Sequence, residues 1–172
     1  MKKFMLILLL AVVSFAGEYR VSNEKSEIKF EATKLMFVAV EGTFNKFSGS
    51  IQTDEQGLTN ISGRVEVTSL NTGNETRDKN LKSLGYFNLK NFGTISFESL
   101  AIDEHELKAS VTIKGISKTL DFSIDSVEIQ SDKVILKLST KVNRNLFELN
   151  GSMSALIKDE VSVYATLVAF KK

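Results

Sequence analysis

Cysteine, proline and tryptophan are all absent from the 172 residues, and His105 is the single histidine. Without cysteine there are no disulfides, thiolate nucleophiles, Cys-ligated zinc sites or iron–sulfur clusters. With one histidine, a Ser-His-Asp site would have to use His105, and a metal site would need mostly carboxylate ligands. Without proline, every turn relies on Gly, Asn, Asp and Ser. Charge of one sign is missing as well. Lys and Arg number 22 against 21 Asp and Glu, so the chain lacks the basic footprint of a nucleic-acid binder. What is present is 42% hydrophobic residues, including twelve Phe, in a length that suits one domain.

The first residues form a unit of their own. Lys2 and Lys3 precede an unbroken apolar run from Phe4 to Val13, and Ser14-Phe15-Ala16 sets small residues at the −3 and −1 positions of a cleavage site. This order predicts a cleaved export signal over residues 1–16, too short to span a bilayer at about 20 residues. No cysteine follows it to carry a lipid anchor. The expectation is a soluble, exported, periplasmic domain over residues 17–172. Lacking disulfides, that domain must rest on its core.

The remaining chain alternates with a period of two. Leu107, Ala109, Val111 and Ile113 interleave with Lys108, Ser110 and Thr112, and Leu136, Leu138 and Val142 interleave with Lys137, Ser139 and Lys141. Ile28-Phe30-Ala32, Ile61-Gly63-Val65-Val67 and Leu120-Phe122-Ile124 repeat the pattern at alternate positions. Such strands bury one face and wet the other, as in antiparallel sheets. Val161–Phe170 is apolar at most positions, which predicts a strand covered on both sides. Turn signals fall at Ser22-Asn23, Asp54–Gly57, Asp103-Glu104, Lys114-Gly115, Ser131-Asp132, Asn150-Gly151 and Lys158–Glu160. The expected class is all-β, a sandwich or barrel.

Two segments change phase. Ile95 and Phe97 are odd but Leu100 and Ile102 even, while Phe122 and Ile124 are even but Val127 and Ile129 odd. A regular strand cannot move its side chains to the other face, so each switch predicts a bulge, which favours a closing sheet. One segment is helical. Thr72 as N-cap with Glu75 at N3 predicts a helix from about Gly73 to Leu84, stopped by Gly85. Asp78 and Lys82 form its outer i,i+4 pair, and Arg77 joins Leu81 and Leu84 on one stripe.

The chemistry is sparse. His105 sits in the charged turn Asp103-Glu104-His105-Glu106, and no nucleophile elbow, P-loop or His-Glu-x-x-His sequence occurs. Paired carboxylates occur only at turns, so the expectation is a protein that is not an enzyme, with no metal and no cofactor. The phenylalanines either fill a core or line a cavity, since an eight-stranded barrel is just wide enough for side chains or one small ligand. Arg77, among leucines, and Arg144, at a strand end, each need an acceptor if buried. A structural ion pair and an anionic ligand both meet that need.

Ser69–Ser83, read SLNTGNETRDKNLKS, resembles the hallmark segment of the YceI-like family, with Tyr86-Phe87 as the aromatic pair that follows it. Thr94–Ser99, Gly115–Leu120 and Arg144–Phe147 are similar to later family segments. Tyr19–Val21 with Ser26–Phe30, and Val40–Phe44 with Phe47–Gly49, are similar to its start. The resemblance spans residues 17–172 nearly throughout. Asn80 stands where the family usually has His, Leu146 where it has Asp, and Glu148 where it has Gly.

The resemblance implies an extended, lipocalin-like antiparallel barrel of about eight strands with one short helix. It implies binding of a polyisoprenoid or other long-chain amphiphile inside that barrel, usually in a bacterial periplasm. The tail is then expected against Phe30, Phe44, Phe47, Leu81, Phe87, Phe97, Phe122 and Leu136. Arg77 and Arg144 would meet the head group, with Asp78 orienting the loop. The competing expectation is a fully packed barrel that acts as a structural or interaction protein. A homodimer stays open.

Overall fold

The computed structural model describes residues 16–172. The expected export signal over residues 1–16 therefore lies, apart from Ala16, outside the described residues. The strands are β1 (Gly17–Val21), β2 (Glu27–Lys34), β3 (Val38–Phe44), β4 (Phe47–Asp54), β5 (Gly57–Glu66), β6 (Leu70–Asn71), β7 (Thr94–Ile102), β8 (Glu106–Ile113), β9 (Ile116–Ile129), β10 (Lys133–Asn143) and β11 (Ile157–Lys171). One α-helix, α1 (Glu75–Leu81), separates β6 from β7.

Every pairing is antiparallel, and the order β1-β4-β5-β7-β8-β9-β10-β11 closes through β1 against β11, giving an eight-stranded barrel. The last strand, β11, is long enough to take two partners on one side. Its end pairs with β1 (Tyr19↔Lys171) and its first half with β2 (Val161↔Ala32). Strands β2, β3 and β6 therefore extend the wall on one side, with β6 pairing only at Thr43 and Phe44.

Both expected bulges are present. Ser99 faces Ala109 and Ala101 faces Lys108, which leaves Leu100 as the extra residue of β7. Ser126 faces Lys137 and Ile124 faces Leu138, which leaves Asp125 as the extra residue of β9. In each case the inserted residue resets the phase so that Ile102 and Ile129 pack inward, while Leu100 and Val127, expected on the inner face, are exposed.

Three local expectations are corrected. The helix is shorter and capped elsewhere. Asn74 is the N-cap, its side chain accepting from the Arg77 N–H at 2.9 Å. Thr72 is unavailable because its own N–H and hydroxyl donate to Asp78 Oδ1 at 2.9 and 2.5 Å. That bond also turns Asp78 away from the i,i+4 pair with Lys82. After Leu81 the chain folds back, with the Phe87 N–H donating to the Leu81 carbonyl, and Leu84 is 72% exposed rather than on a buried stripe.

The second correction is at Lys158–Glu160, which lies inside β11 as a bulge against β2 and is not a turn. Arg144 holds it there, bonding the carbonyls of Ile157 and Lys158 and the carboxylate of Asp159. The third is β11 itself, which is not covered on both sides. Val161, Val163, Ala165 and Leu167 face inward, whereas Tyr164 is exposed. Its outer Phe170 lies between Arg20 and Lys133 on the neighbouring strands and under the Lys25 ammonium of the β1–β2 turn, 4.8 Å from the ring centre.

The interior divides along the barrel axis. At one end Tyr19, Ile51, Leu107, Val134, Leu136 and Ala169 are almost wholly buried and seal the barrel. At the other end the strands run into the β2–β3 and β8–β9 turns, α1 with the loop after it, and the segment Arg144–Leu156.

Candidate functional site

Between the sealed end and these loops the barrel encloses a cavity of about 260 Å³. Such a volume lies near the small end of ligand sites, which span roughly 300–1,000 Å³. Its wall runs from Leu138 and Leu167 in mid-barrel to Leu81, Phe87, Leu149 and Ile157 beneath the loops. Nearly all of it is apolar.

The space exists because of small residues at inward positions. Gly49 and Gly63 face each other across β4 and β5, both on the cavity wall. In the alternating runs Phe47-Gly49-Ile51 and Ile61-Gly63-Val65 each glycine replaces an apolar side chain. A Cβ at Gly49 would come 2.5 Å from the Ser62 carbonyl oxygen, so the two strands approach too closely there for any side chain. Ala165 on β11 also faces the cavity, opposite Ile28 of β2. Gly42 has a related role, because the Phe30 ring lies over it and would sit 2.3 Å from an added Cβ.

Aromatic contacts close the wall where hydrogen bonding stops. Strand β3 has β6 as a neighbour only at its last two residues, and beyond them a seam separates it from the loop after α1. Phe30 and Phe44 lie 5.6 Å apart, and Phe44 meets Phe87 edge-on at 6.0 Å. Phe44, itself paired with Leu70 of β6, thus joins β3 to Phe87 on the loop after α1. Phe97 and Phe122 form a second edge-on pair at 5.3 Å deeper in the barrel. Edge-to-face geometry sets the positive rim of one ring against the negative face of the other.

Of the residues expected at an apolar tail, Phe30, Phe44, Phe47, Leu81, Phe87, Phe97 and Phe122 all line the cavity. Leu136 does not, being fully buried in the sealed end. Its alternation correctly put it inside, but depth along the barrel axis has no signature in a period of two. Gly49, Gly63, Tyr86, Leu149 and Val163 line the cavity without having been singled out. The inward glycine pair carried the only legible signal, a gap in two apolar runs.

The expected head-group residues are not brought together. Arg77 lies outside the cavity lining, donating through Nε to Thr72 Oγ1 at 2.8 Å and through Nη2 to the Thr72 carbonyl at 2.7 Å. With Asp78 also on Thr72, the two residues tie α1 to the end of β6. Arg144 does reach the cavity wall, 8% exposed, but its guanidinium is fully engaged. Nε donates to the Lys158 carbonyl, and Nη1 to the Leu149 carbonyl and Asn150 Oδ1. Nη2 serves the Ser154 and Ile157 carbonyls and Asp159 Oδ1, the last at 2.9 Å. Five N–H groups are shared among six acceptors, and none is left for a ligand. The acceptor each arginine required is protein in both cases.

Polar chemistry elsewhere is conventional. Asp103, in the β7–β8 turn, accepts from the backbone N–H groups of His105 and Glu106, which lowers its pKa from the usual value. His105 is exposed. Among the described residues no group of three or more His, Asp or Glu is placed to hold a metal, and no helix is long and apolar enough to cross a membrane.

Comparison with known proteins gives a consistent answer. Residues 19–169 match the YceI-like domain. The chain is 30% identical over 102 residues to UPF0312 protein SA2479 of Staphylococcus aureus strain N315, a match covering 58% of this chain and 60% of that protein. Among solved structures, Burkholderia cenocepacia BcnA superposes with a TM-score of 0.78 at 23% identity, covering 86% of this chain and 98% of the other. A polyisoprenoid binding domain from Saccharophagus degradans, implicated in plant cell wall breakdown, gives 0.75 at 17% identity, covering 90% and 98%. The Campylobacter jejuni YCEI protein gives 0.67 at 24%, covering 100% and 99%. At these identities the superpositions establish a shared fold.

Proposed function

This chain belongs to the YceI-like family, and on that premise we propose that it binds the apolar chain of an isoprenoid or another long amphiphile in the barrel interior, as a carrier and not as an enzyme. The observation that carries this reading is the cavity itself. A barrel serving only as a scaffold would fill its centre with side chains, whereas here an apolar space remains beside the paired glycines of β4 and β5. The polyisoprenoid binding domain among the similar folds supports the ligand class.

The same wall sets how the ligand lies. Arg144 is saturated and Arg77 lies outside, while Arg64, at the cavity margin, alternates outward between Gly63 and Val65 and is exposed, so no charged side chain points into the cavity to receive a head group. The apolar chain occupies the interior and the polar end stays at the loop-rich end, in contact with water or the loops. Burying a head group without partners would cost several kcal/mol. Export to a periplasm, read from Lys2-Lys3, the apolar run and Ser14–Ala16, is part of the proposal.

The test is native mass spectrometry of protein purified from its own host, paired with the denatured mass and solvent extraction. A mass excess that extracts as a molecule with a long apolar tail is the expected result. Equal native and denatured masses, with no uptake of an apolar fluorescent probe, would replace the carrier with the packed structural barrel.

A further inference from the structure

Eleven large apolar side chains are exposed among the described residues, and eight of them sit on the loops at one end of the barrel. Leu35, Met36, Phe37 and Val38 form and flank the β2–β3 turn, with Phe37 85% and Met36 72% exposed. Met153 and Leu156 lie on the adjoining segment, where the Leu35 N–H donates to the Leu156 carbonyl. Leu84 and Leu146 complete the set. None of the turns at the sealed end exposes such a residue.

A second observation concerns the turn itself. Leu35 and Met36 both have positive φ, at 50° and 68°. Glycine or asparagine would hold that backbone at little cost, and bulky residues there are strained. The chain therefore maintains a strained turn whose effect is to project two adjacent apolar side chains into solvent. Strain of this kind persists where it serves a function.

Charge supplies the third. The loops at this end carry Lys34, Lys79, Lys82, Lys90, Lys114 and Lys158, and Arg77, Asp78, Arg144 and Asp159 are bonded internally. Glu66, Glu75, Glu148 and Glu160 oppose them, and Lys46 stands beside Glu66. The opposite end is acidic on balance, with Glu18, Asp54, Glu55, Asp103, Glu104, Glu106 and Asp132 against Lys133, Lys171 and Lys172, the last paired with Glu18. A neutral chain is thus polarised along its barrel axis.

We propose that the loop-rich end docks on an anionic lipid bilayer, with Met36 and Phe37 entering the interface and the surrounding lysines facing the lipid head groups. Apolar anchors ringed by lysine are the pattern of interfacial membrane binding. A second copy fits less well, because two-fold pairing through this face would set lysine against lysine. The surface is continuous with the cavity, since cavity-lining Ile157 pairs with Lys34, the residue before the turn. Docking there would set the interior beside its lipid source. That link rests on the carrier reading, but the docking itself does not.

Because the chain has no tryptophan, Phe37→Trp creates a single reporter on the turn, and Leu100→Trp, on the exposed bulge of β7, creates one on the barrel wall. Both full-length variants are mixed with vesicles of phosphatidylglycerol and phosphatidylethanolamine, and with phosphatidylcholine alone. The residue 4–13 run is apolar enough to partition by itself, so reporter depth, not binding, is the readout. A blue shift at position 37, quenched by brominated acyl chains, absent at position 100 and weaker on phosphatidylcholine, is expected. Phe37→Ser, combined with Met36→Trp as the reporter and compared with Met36→Trp alone, should lower the inserted fraction about tenfold, as loss of one buried Phe implies. An unshifted reporter at position 37, or equal depth at both positions, overturns the proposal. Dimers or chains in sedimentation that vanish with Phe37→Ser, without insertion, would assign the face to self-association instead. Vesicle insertion without any cargo in the native mass would leave docking standing and remove the carrier.

Discussion

The two ends of this barrel are built from the same strands and put to opposite uses. At the sealed end Tyr19, Leu107, Val134, Leu136 and Ala169 have no exposed surface, and the turns outside them are acidic and short. At the loop-rich end the same strands carry glycine and alanine inward, the wall is completed by aromatic contacts, and leucine, methionine and phenylalanine face outward. One end is packed across its whole section, and at the other a second buried cluster, with Ala109, Val111, Ile113, Phe147 and Leu149, packs beside the cavity. Alternation is equally regular in both. What differs is whether the inward side chains meet across the barrel, as Tyr19, Leu107 and Leu136 do, or stop short of one another and leave the cavity.

The comparison can be broken most severely at Arg144. Arg144→Met would leave the carbonyls of Leu149, Ser154 and Ile157 and the Asp159 carboxylate without their donor. Asp159 is exposed enough to turn to water, but each orphaned buried carbonyl costs about 1–3 kcal/mol, and the sum is read as a drop in unfolding free energy in urea. A change below about 1 kcal/mol would show that the loop-rich end does not depend on this hub.

A paired substitution sharpens the contrast. Leu136→Ala at the sealed end should cost about 2–5 kcal/mol, because tightly packed surroundings cannot collapse into the space. Phe87→Ala should cost less, about 1–2 kcal/mol, since part of that ring faces the cavity instead of packed atoms. Apolar-probe affinity should move in the opposite order, falling for Phe87→Ala and staying near the parent value for Leu136→Ala. Equal effects in both assays would erase the division between the two ends.

The smallest effect belongs to Asp103 at the sealed end. Two backbone N–H groups hold its folded pKa below the unfolded one. Its contribution is therefore present above the ordinary carboxylate range and fades as pH falls through the depressed value. The difference in Tm between the parent and Asp103→Ala should be small near pH 7 and close on acidification below about pH 4. A gap that widens in acid would reverse the sign of the linkage.

Legibility followed the range of the interaction. The bulges at Leu100 and Asp125 could be read because a phase switch is local to one strand. The helix ends could not, because Thr72 suits an N-cap until Asp78, six residues on, claims its N–H and hydroxyl. Lys158–Glu160 has the composition of a turn and becomes strand because Arg144 reaches it from another segment. Both arginines stood out as needing an acceptor, but which acceptor is a matter of three-dimensional neighbours.

By itself, the sequence determined an all-β antiparallel domain, its inward faces and its two bulges. Each of these follows from side-chain type and a period of two, which any extended chain imposes on its own residues. Only the tertiary structure decided which inward residues seal the barrel and which leave it hollow, that Gly49 meets Gly63, and that Arg144 is satisfied by its own chain. It alone gathered the exposed leucines, methionines and phenylalanine with the lysines at one end. Depth in a barrel and the satisfaction of a buried charge depend on segments far apart in the chain, and no local period records how far along the axis a strand has travelled.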